Sequence, residues 1–263
     1  MKLRILVGAL LIPIAVWIIL LGGLPLRITL FILSLISTFE LFRALQGHLN
    51  PLNYISFLAI GVYYFLVTPT NYTFFIFVIG WLISNLTTLV FYHDKFNSKD
   101  VLINIATPLY PMILLSTIYY AVLFNPRLAW IMFLSAWSYD SFAYFTGKLI
   151  GKHKFTPKLS PNKTIEGFIG GIIGAMLVCY IYFVFVIDFT QMNAIIFSLL
   201  SGIIAVFGQI GDLAASSIKR HCGIKDFGHI IPGHGGIMDR FDSLMFTAPL
   251  TFILILFFHH LSI

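Results

Sequence analysis

Apolar residues run in long blocks along almost the whole chain, and polar residues are confined to short gaps between them. A block of about twenty residues matches the roughly 30 Å hydrocarbon core of a bilayer at 1.5 Å per helical residue. Nine spans are predicted, at 4–21, 25–45, 52–69, 71–91, 101–124, 127–147, 165–187, 191–213 and 240–260. Turn-forming residues separate them: Gly22-Gly23 with Pro25, Asn50-Pro51, Pro69 with Asn71, and Asn125-Pro126. The first block lacks a convincing small-residue cleavage site, so it reads as a retained helix rather than a signal peptide. The expected fold is all-α, a polytopic integral membrane protein with about nine transmembrane helices. Residues 1–124 would hold about five of them, and 125–263 the remainder together with the polar loops.

Composition supports that pattern. Hydrophobic residues make up 59% of the chain, charged residues 10%, and the mean hydropathy is +0.95. Soluble domains carry roughly a quarter charged residues. No polar segment is long enough to form a separate soluble domain. Cys179 within a span and Cys222 in a loop are badly placed to pair, so neither a disulfide nor a metal site is expected from them.

Charge then sets the orientation. With nine spans, fourteen of the sixteen Lys and Arg fall on the side of the N-terminus and the even-numbered loops, leaving Arg27 and Arg127 opposite. That asymmetry puts the N-terminus and those loops in the cytoplasm and the C-terminus outside. The net charge of +6 sits on the same face. Topology and attraction to anionic headgroups account for it, with no nucleic-acid partner.

Acidic residues are scarce, and those inside spans tend to mark function. Glu40 and Arg43 stand three apart, a spacing that suits an ion pair. Asp94, Asp100 and Asp188 read as solvated boundaries. Asp140 shares a helical face with Tyr144 and Lys148 at i, i+4 and i+8. It is either half of an Asp–Lys strut or part of a polar pocket facing the cytoplasm. The following loop, "KHKFTPKLSPNKTIEG", ends in Ser160, Asn162, Lys163, Thr164 and Glu166. This resembles a helix start, with Thr164 near the cap and an acid in the first turn. Lysines beside exposed helix-start amides also make a phosphate site. Gly167, Gly170, Gly171 and Gly174 then predict close helix packing.

Polar chemistry is densest between 208 and 243. If the eighth span continues as helix to Arg220, Asp212, Ser216 and Lys219 project from one face. Asp239 and Asp242 share a face at the start of the ninth span. Carboxylates suit a hard divalent cation such as Mg²⁺, and Lys219, Arg220, Lys225 and Arg240 suit phosphate oxygens. Gly235 and Gly236 allow close backbone approach or positive φ. The inventory describes metal-assisted phosphoryl or nucleotidyl transfer; the alternative is a capped helix, a glycine turn and ion pairs. His221, His229 and His234 lack the spacing of a zinc site.

The run "SSIKRHCGIKDFGHIIPGHGGIMDRFD", 216–242, resembles the signature of the phosphatidate cytidylyltransferases. "SPNKTIEG" at 160–167 and "WSYDSFAYFTGK" at 137–148 resemble further family stretches. The likeness covers 137–243, and it departs at Ala215, where many bacterial members carry glutamate. It implies an enzyme joining CTP and phosphatidic acid into CDP-diacylglycerol and pyrophosphate for phospholipid biosynthesis. It implies dependence on Mg²⁺ held by Asp212 and Asp239, with a monovalent cation such as K⁺ beside it, and a homodimer. Lys219, Arg220, Lys225, Asp226, Arg240 and Asp242 would join those two aspartates in catalysis. Asp140, Ser160, Asn162, Lys163, Thr164, Glu166, Ser216, His234, Gly235 and Gly236 would bind substrate. The setting implied is a bacterial-type inner or plasma membrane, with the active site facing the cytoplasm. CTP-dependent polyprenol or phytol kinases are the nearest alternative. A transporter would need functional acids deep in several spans and inverted repeats, and neither pattern is present.

Overall fold

The computed structural model describes residues 13–67, 72–187, 190–230 and 235–260. A helical stretch at 13–21 leads into α1 (Gly23–Gln46), α2 (Asn53–Leu66), α3 (Thr73–Phe91), α4 (Ser98–Phe124) and α5 (Pro126–Ile150). A hairpin of β1 (Lys154–Thr156) and β2 (Ser160–Thr164) follows. The chain then forms α6 (Ile165–Phe185), α7 (Gln191–His221), the single turn α8 (Met238–Phe241) and α9 (Leu244–His260). Among the described residues, α1, α3, α4, α6 and α7 are long and apolar enough to cross a membrane, and α2 and α9 are shorter apolar helices. The protein is a helical membrane protein.

Local chemistry sets the ends. Gly47 closes α1 in the left-handed region at φ 79°. Asn97 and Asp100 exchange side-chain and backbone hydrogen bonds at the start of α4. Asn125 caps α5 by accepting from the Leu128 N–H at 3.0 Å, with Pro126 at the first helical position.

The all-α membrane class holds, with one local addition and one shifted boundary. Between α5 and α6, β1 and β2 pair antiparallel, with Lys154 opposite Thr164 and Thr156 opposite Ser160. The short lysine- and proline-broken run carries no strand periodicity, so its pairing is decided by the helix ends that flank it. The last long helix begins at Leu244 rather than at 240. Asp239 therefore lies in α8 and Asp242 in the turn that follows.

The chain divides into two compact units, 1–119 with 226–238, and 120–225 with 239–263. In the first, buried polar side chains tie the helices together. Ser34 and Tyr64 hydroxyls meet at 2.9 Å, and Tyr63 and Ser116 at 2.8 Å. The Asn53 amide donates to Asn104 at 3.2 Å, and Asn104 donates to Asn85 at 2.7 Å. Each such bond in a membrane bundle contributes on the order of 0.6–2 kcal/mol. α3 buries Trp81 and Asn85 while Phe75, Ile79, Ile83 and Val90 stand exposed, the pattern of a lipid-facing helix.

In the second unit, α6 lies so close to α5 that only glycine fits at the contact. A Cβ on Gly174 would stand 2.1 Å from the Phe142 ring, and one on Gly170 2.3 Å from the Thr146 hydroxyl. The predicted packing stripe is therefore present. α7 and α9 meet the same way, since a Cβ on Gly211 would stand 2.7 Å from the Phe246 ring. Thr247 on α9 donates to the Met132 carbonyl of α5 at 3.2 Å. These contacts bring the polar ends of α5, α7 and α9 together.

Candidate active site

The site lies in the second unit, where α5, the hairpin and the later helices converge. A cavity of about 430 Å³ is lined by Tyr139, Asp140, Tyr144, Lys148, Lys163 and Gln209, among others. Asp140, Tyr144 and Lys148 share the face that their spacing predicted. Lys148 lies over the Tyr144 ring at 5.8 Å, a cation–π contact in place of the Asp–Lys strut. Asp140 therefore belongs to the pocket. Ser160, Asn162, Lys163 and Thr164 line it too, because β2 lays them along its wall. Phe155 stacks on Phe168 at 4.7 Å and pins the hairpin to α6.

Lys163 and Asp212 form a close ion pair that joins the hairpin to α7. One turn further, the Ser216 hydroxyl donates to Asp212 Oδ1 at 3.5 Å, and Lys219 Nζ donates to Asp239 Oδ1 at 2.7 Å. The Lys219 and Asp239 side chains are 12% and 3% exposed, so this pair is largely removed from solvent. Both aspartates implied as metal ligands are thus matched to lysines. Asp140, Asp212 and Asp242 lie within electrostatic reach of one another, with Lys163 and Arg240 acting on Asp140 and Lys219 on Asp242. Burial, with Asp212 nearby, pushes the Asp242 carboxyl up to about 7.

That donor set fits Mg²⁺. Its ligands are hard oxygens. Among the described residues no three His, Cys, Asp or Glu groups stand close enough to hold an ion alone. Mg²⁺ takes few protein ligands and fills its remaining positions with phosphate oxygens and water, so one or two aspartates suffice. A cation bound by them would favour the ionised carboxylates.

Glu166, Arg220, Lys225, Asp226, Gly235 and Gly236 do not line the cavity, and Thr164, which does, also caps a helix. Glu166 turns back to the end of α5, where it accepts from the Lys152 N–H at 3.1 Å and meets His153 Nδ1 at 2.6 Å. It clamps a turn. Thr164 caps α6 by accepting from the Gly167 N–H at 3.1 Å, as its spacing predicted. Arg220 is exposed and reaches the Ile224 carbonyl at 3.5 Å, and Lys225 is exposed. Asp226, Gly235 and Gly236 belong to the first unit. His234 lies outside the described residues. Gly235 takes φ 84°, a left-handed conformation that favours glycine.

Gln209 lines the cavity without having been anticipated. It is 5% exposed, and its Nε2 has no protein partner among the described residues. It sits one turn before Asp212, so helical spacing pointed to it, but an amide carries no charge to draw notice.

A model described as the cytidylyltransferase family matches residues 2–258. The phosphatidate cytidylyltransferase of Bacillus subtilis (strain 168) is 34% identical over 281 residues, covering 98% of each chain. The chain belongs to the cytidylyltransferase family. Phosphatidate cytidylyltransferases of Staphylococcus haemolyticus (strain JCSC1435) and Staphylococcus aureus (strain COL) are each 53% identical, over 124 and 126 residues. These two alignments span about half of each protein, 47% of this chain and 47% of the relative.

Proposed function

We propose that this chain transfers the cytidylyl group of CTP to phosphatidic acid, giving CDP-diacylglycerol and pyrophosphate. A phosphate oxygen of phosphatidic acid attacks the α-phosphorus of CTP. The bond from that phosphorus to the bridging oxygen breaks, and pyrophosphate leaves with the electron pair. The attacking phosphate is already ionised, so the reaction asks for charge screening rather than a strong base. The observation that carries the reading is Lys163, which lines the cavity and pairs with Asp212, bringing the 160–167 stretch to a carboxylate that the resemblance implies as a metal ligand.

Lys163 and Lys219 hold their aspartates when substrate is absent and turn to phosphate oxygens when it is present. Asp212 and Asp239 would hold Mg²⁺, which when bound would supply neutralisation of the charge developing on the departing pyrophosphate. Asp140 and Asp242 keep Arg240 and Lys219 oriented, and Gln209 offers a buried amide donor to the bound nucleotide or headgroup. The positive-inside distribution supports nine spans with the N-terminus and the active site on the cytoplasmic side. The lipid tails then stay in the bilayer while the headgroup enters the cavity. A homodimer and a K⁺ site complete the reading by resemblance.

The experiment is turnover of CTP and phosphatidic acid by purified protein with Mg²⁺. Pyrophosphate and CDP-diacylglycerol are expected in equal amounts. Folded protein that makes neither, or that releases CDP instead, rules the reading out.

A further inference from the structure

Glu40 lies on α1, outside every motif that carries the family resemblance, and is 1% exposed. A carboxyl group so deep in an apolar helix is costly unless its oxygens are met. The sequence paired it with Arg43, but the Arg43 guanidinium lies over the Phe39 ring at 5.8 Å. Main chain meets Glu40 instead. The Ile237 N–H donates to Oε1 at 3.0 Å and the Met238 N–H to Oε2 at 2.8 Å. Two successive amides converging on one carboxylate form the kind of nest by which backbone holds an anion. Glycines complete the socket. A Cβ on Gly236 would stand 2.5 Å from Oε1, and one on Gly228 2.3 Å from the same oxygen. Gly236 is thus glycine because Glu40 occupies the space beside it.

Met238 opens α8, and the next two residues in the chain are Asp239 and Arg240. We infer that Glu40 is a positioning residue, anchoring through the Ile237 and Met238 amides the opening of α8, from which the chain runs directly into Asp239. The inference rests on the reading of Asp239 as a group that serves the triphosphate and its metal. Such a group must be held closely, since a misplacement of about 1 Å can cost on the order of 100-fold in rate.

The test uses the full chain in detergent. Glu40→Gln keeps the shape but turns one acceptor into an NH₂ that opposes a backbone N–H. Turnover should fall about 10- to 100-fold, the cost of one charge-assisted hydrogen bond. The Mg²⁺ concentration for half-maximal activity should rise. Amide hydrogen exchange across 235–241 should speed up at least about tenfold while peptides from α6 and α7 keep their protection. Glu40→Asp, which retains two acceptors, should recover much of the loss. Gly236→Ala attacks the same socket with Glu40 intact and decides the matter if Glu40→Gln fails to fold. Wild-type exchange over 235–241 in these variants overturns the inference, as does a uniform loss of thermal stability with unchanged turnover and Mg²⁺ response. If the wild-type chain makes no CDP-diacylglycerol, the functional reading fails, yet the exchange data still decide whether Glu40 anchors α8.

Discussion

The Lys219–Asp239 pair allows stability and catalysis to be separated within one site. Its N···O distance is 2.7 Å, and the two side chains are 12% and 3% exposed. At an effective dielectric constant of about 20 the gross attraction is roughly 6 kcal/mol, most of it offset by taking two charges out of water. Removing one partner leaves the other buried and unmatched, which costs about 3–5 kcal/mol in a fully buried pair. Lys219 also acts on Asp242, so a second carboxylate takes up part of the charge when Asp239 is lost. Asp239→Asn should therefore destabilise by about 2–3 kcal/mol, or roughly 5–10 °C in Tm. Lys219→Met should cost a similar amount. In the double variant neither charge is stranded, so at least about 1 kcal/mol should return as coupling. Turnover should not return with it, because the proposed mechanism needs both groups at the triphosphate. Thermal unfolding in detergent and CTP turnover on the same four proteins make the assay. A double variant as active as wild type, or single variants with unchanged Tm, would refute the reasoning.

Further outcomes follow from other contacts. Gly174→Ala drives a Cβ to 2.1 Å from Phe142 and should cost about 1–3 kcal/mol, whereas Gly80→Ala, with nothing within 4 Å, should leave Tm unlowered; thermal scans compare them. Chelation should abolish turnover and Mg²⁺ restore it, read by pyrophosphate release; turnover that survives chelation removes the metal from the mechanism. Lys163→Met should raise the KM for CTP by at least about tenfold, the loss of one charge-assisted bond, and initial rates over a CTP series would expose an unchanged KM. Gln209→Leu should weaken substrate binding with little change in Tm, because its Nε2 has no protein partner among the described residues to lose.

Some of this architecture could be read directly from residue order. Helices, caps and the glycine stripe obey local rules: Asn125 and Thr164 cap where their spacing says, and glycines at 170 and 174 mark a contact that backbone geometry requires. The face shared by Asp212, Ser216 and Lys219 follows from helical periodicity alone. Partners were harder to read. Charge and helical spacing pair Glu40 with Arg43, and its place in a motif assigns Glu166 to substrate. Their hydrogen bonds instead go to backbone amides, at 237–238 for Glu40 and at 152–153 for Glu166.

Sequence by itself therefore determined the membrane class, most helices, the inventory of cations and carboxylates, and the family likeness. Tertiary structure alone decided that Lys163 meets Asp212, that Lys219 meets Asp239, that 154–164 pairs as a hairpin, and that 226–238 packs with the N-terminal helices through Glu40. The physical reason is common to all four. Periodicity and capping act over a few residues and leave a local trace, whereas these contacts join groups whose pairing depends on where helix ends arrive in space. A backbone N–H, present at nearly every residue, leaves no mark in the sequence to show which carboxylate it will meet.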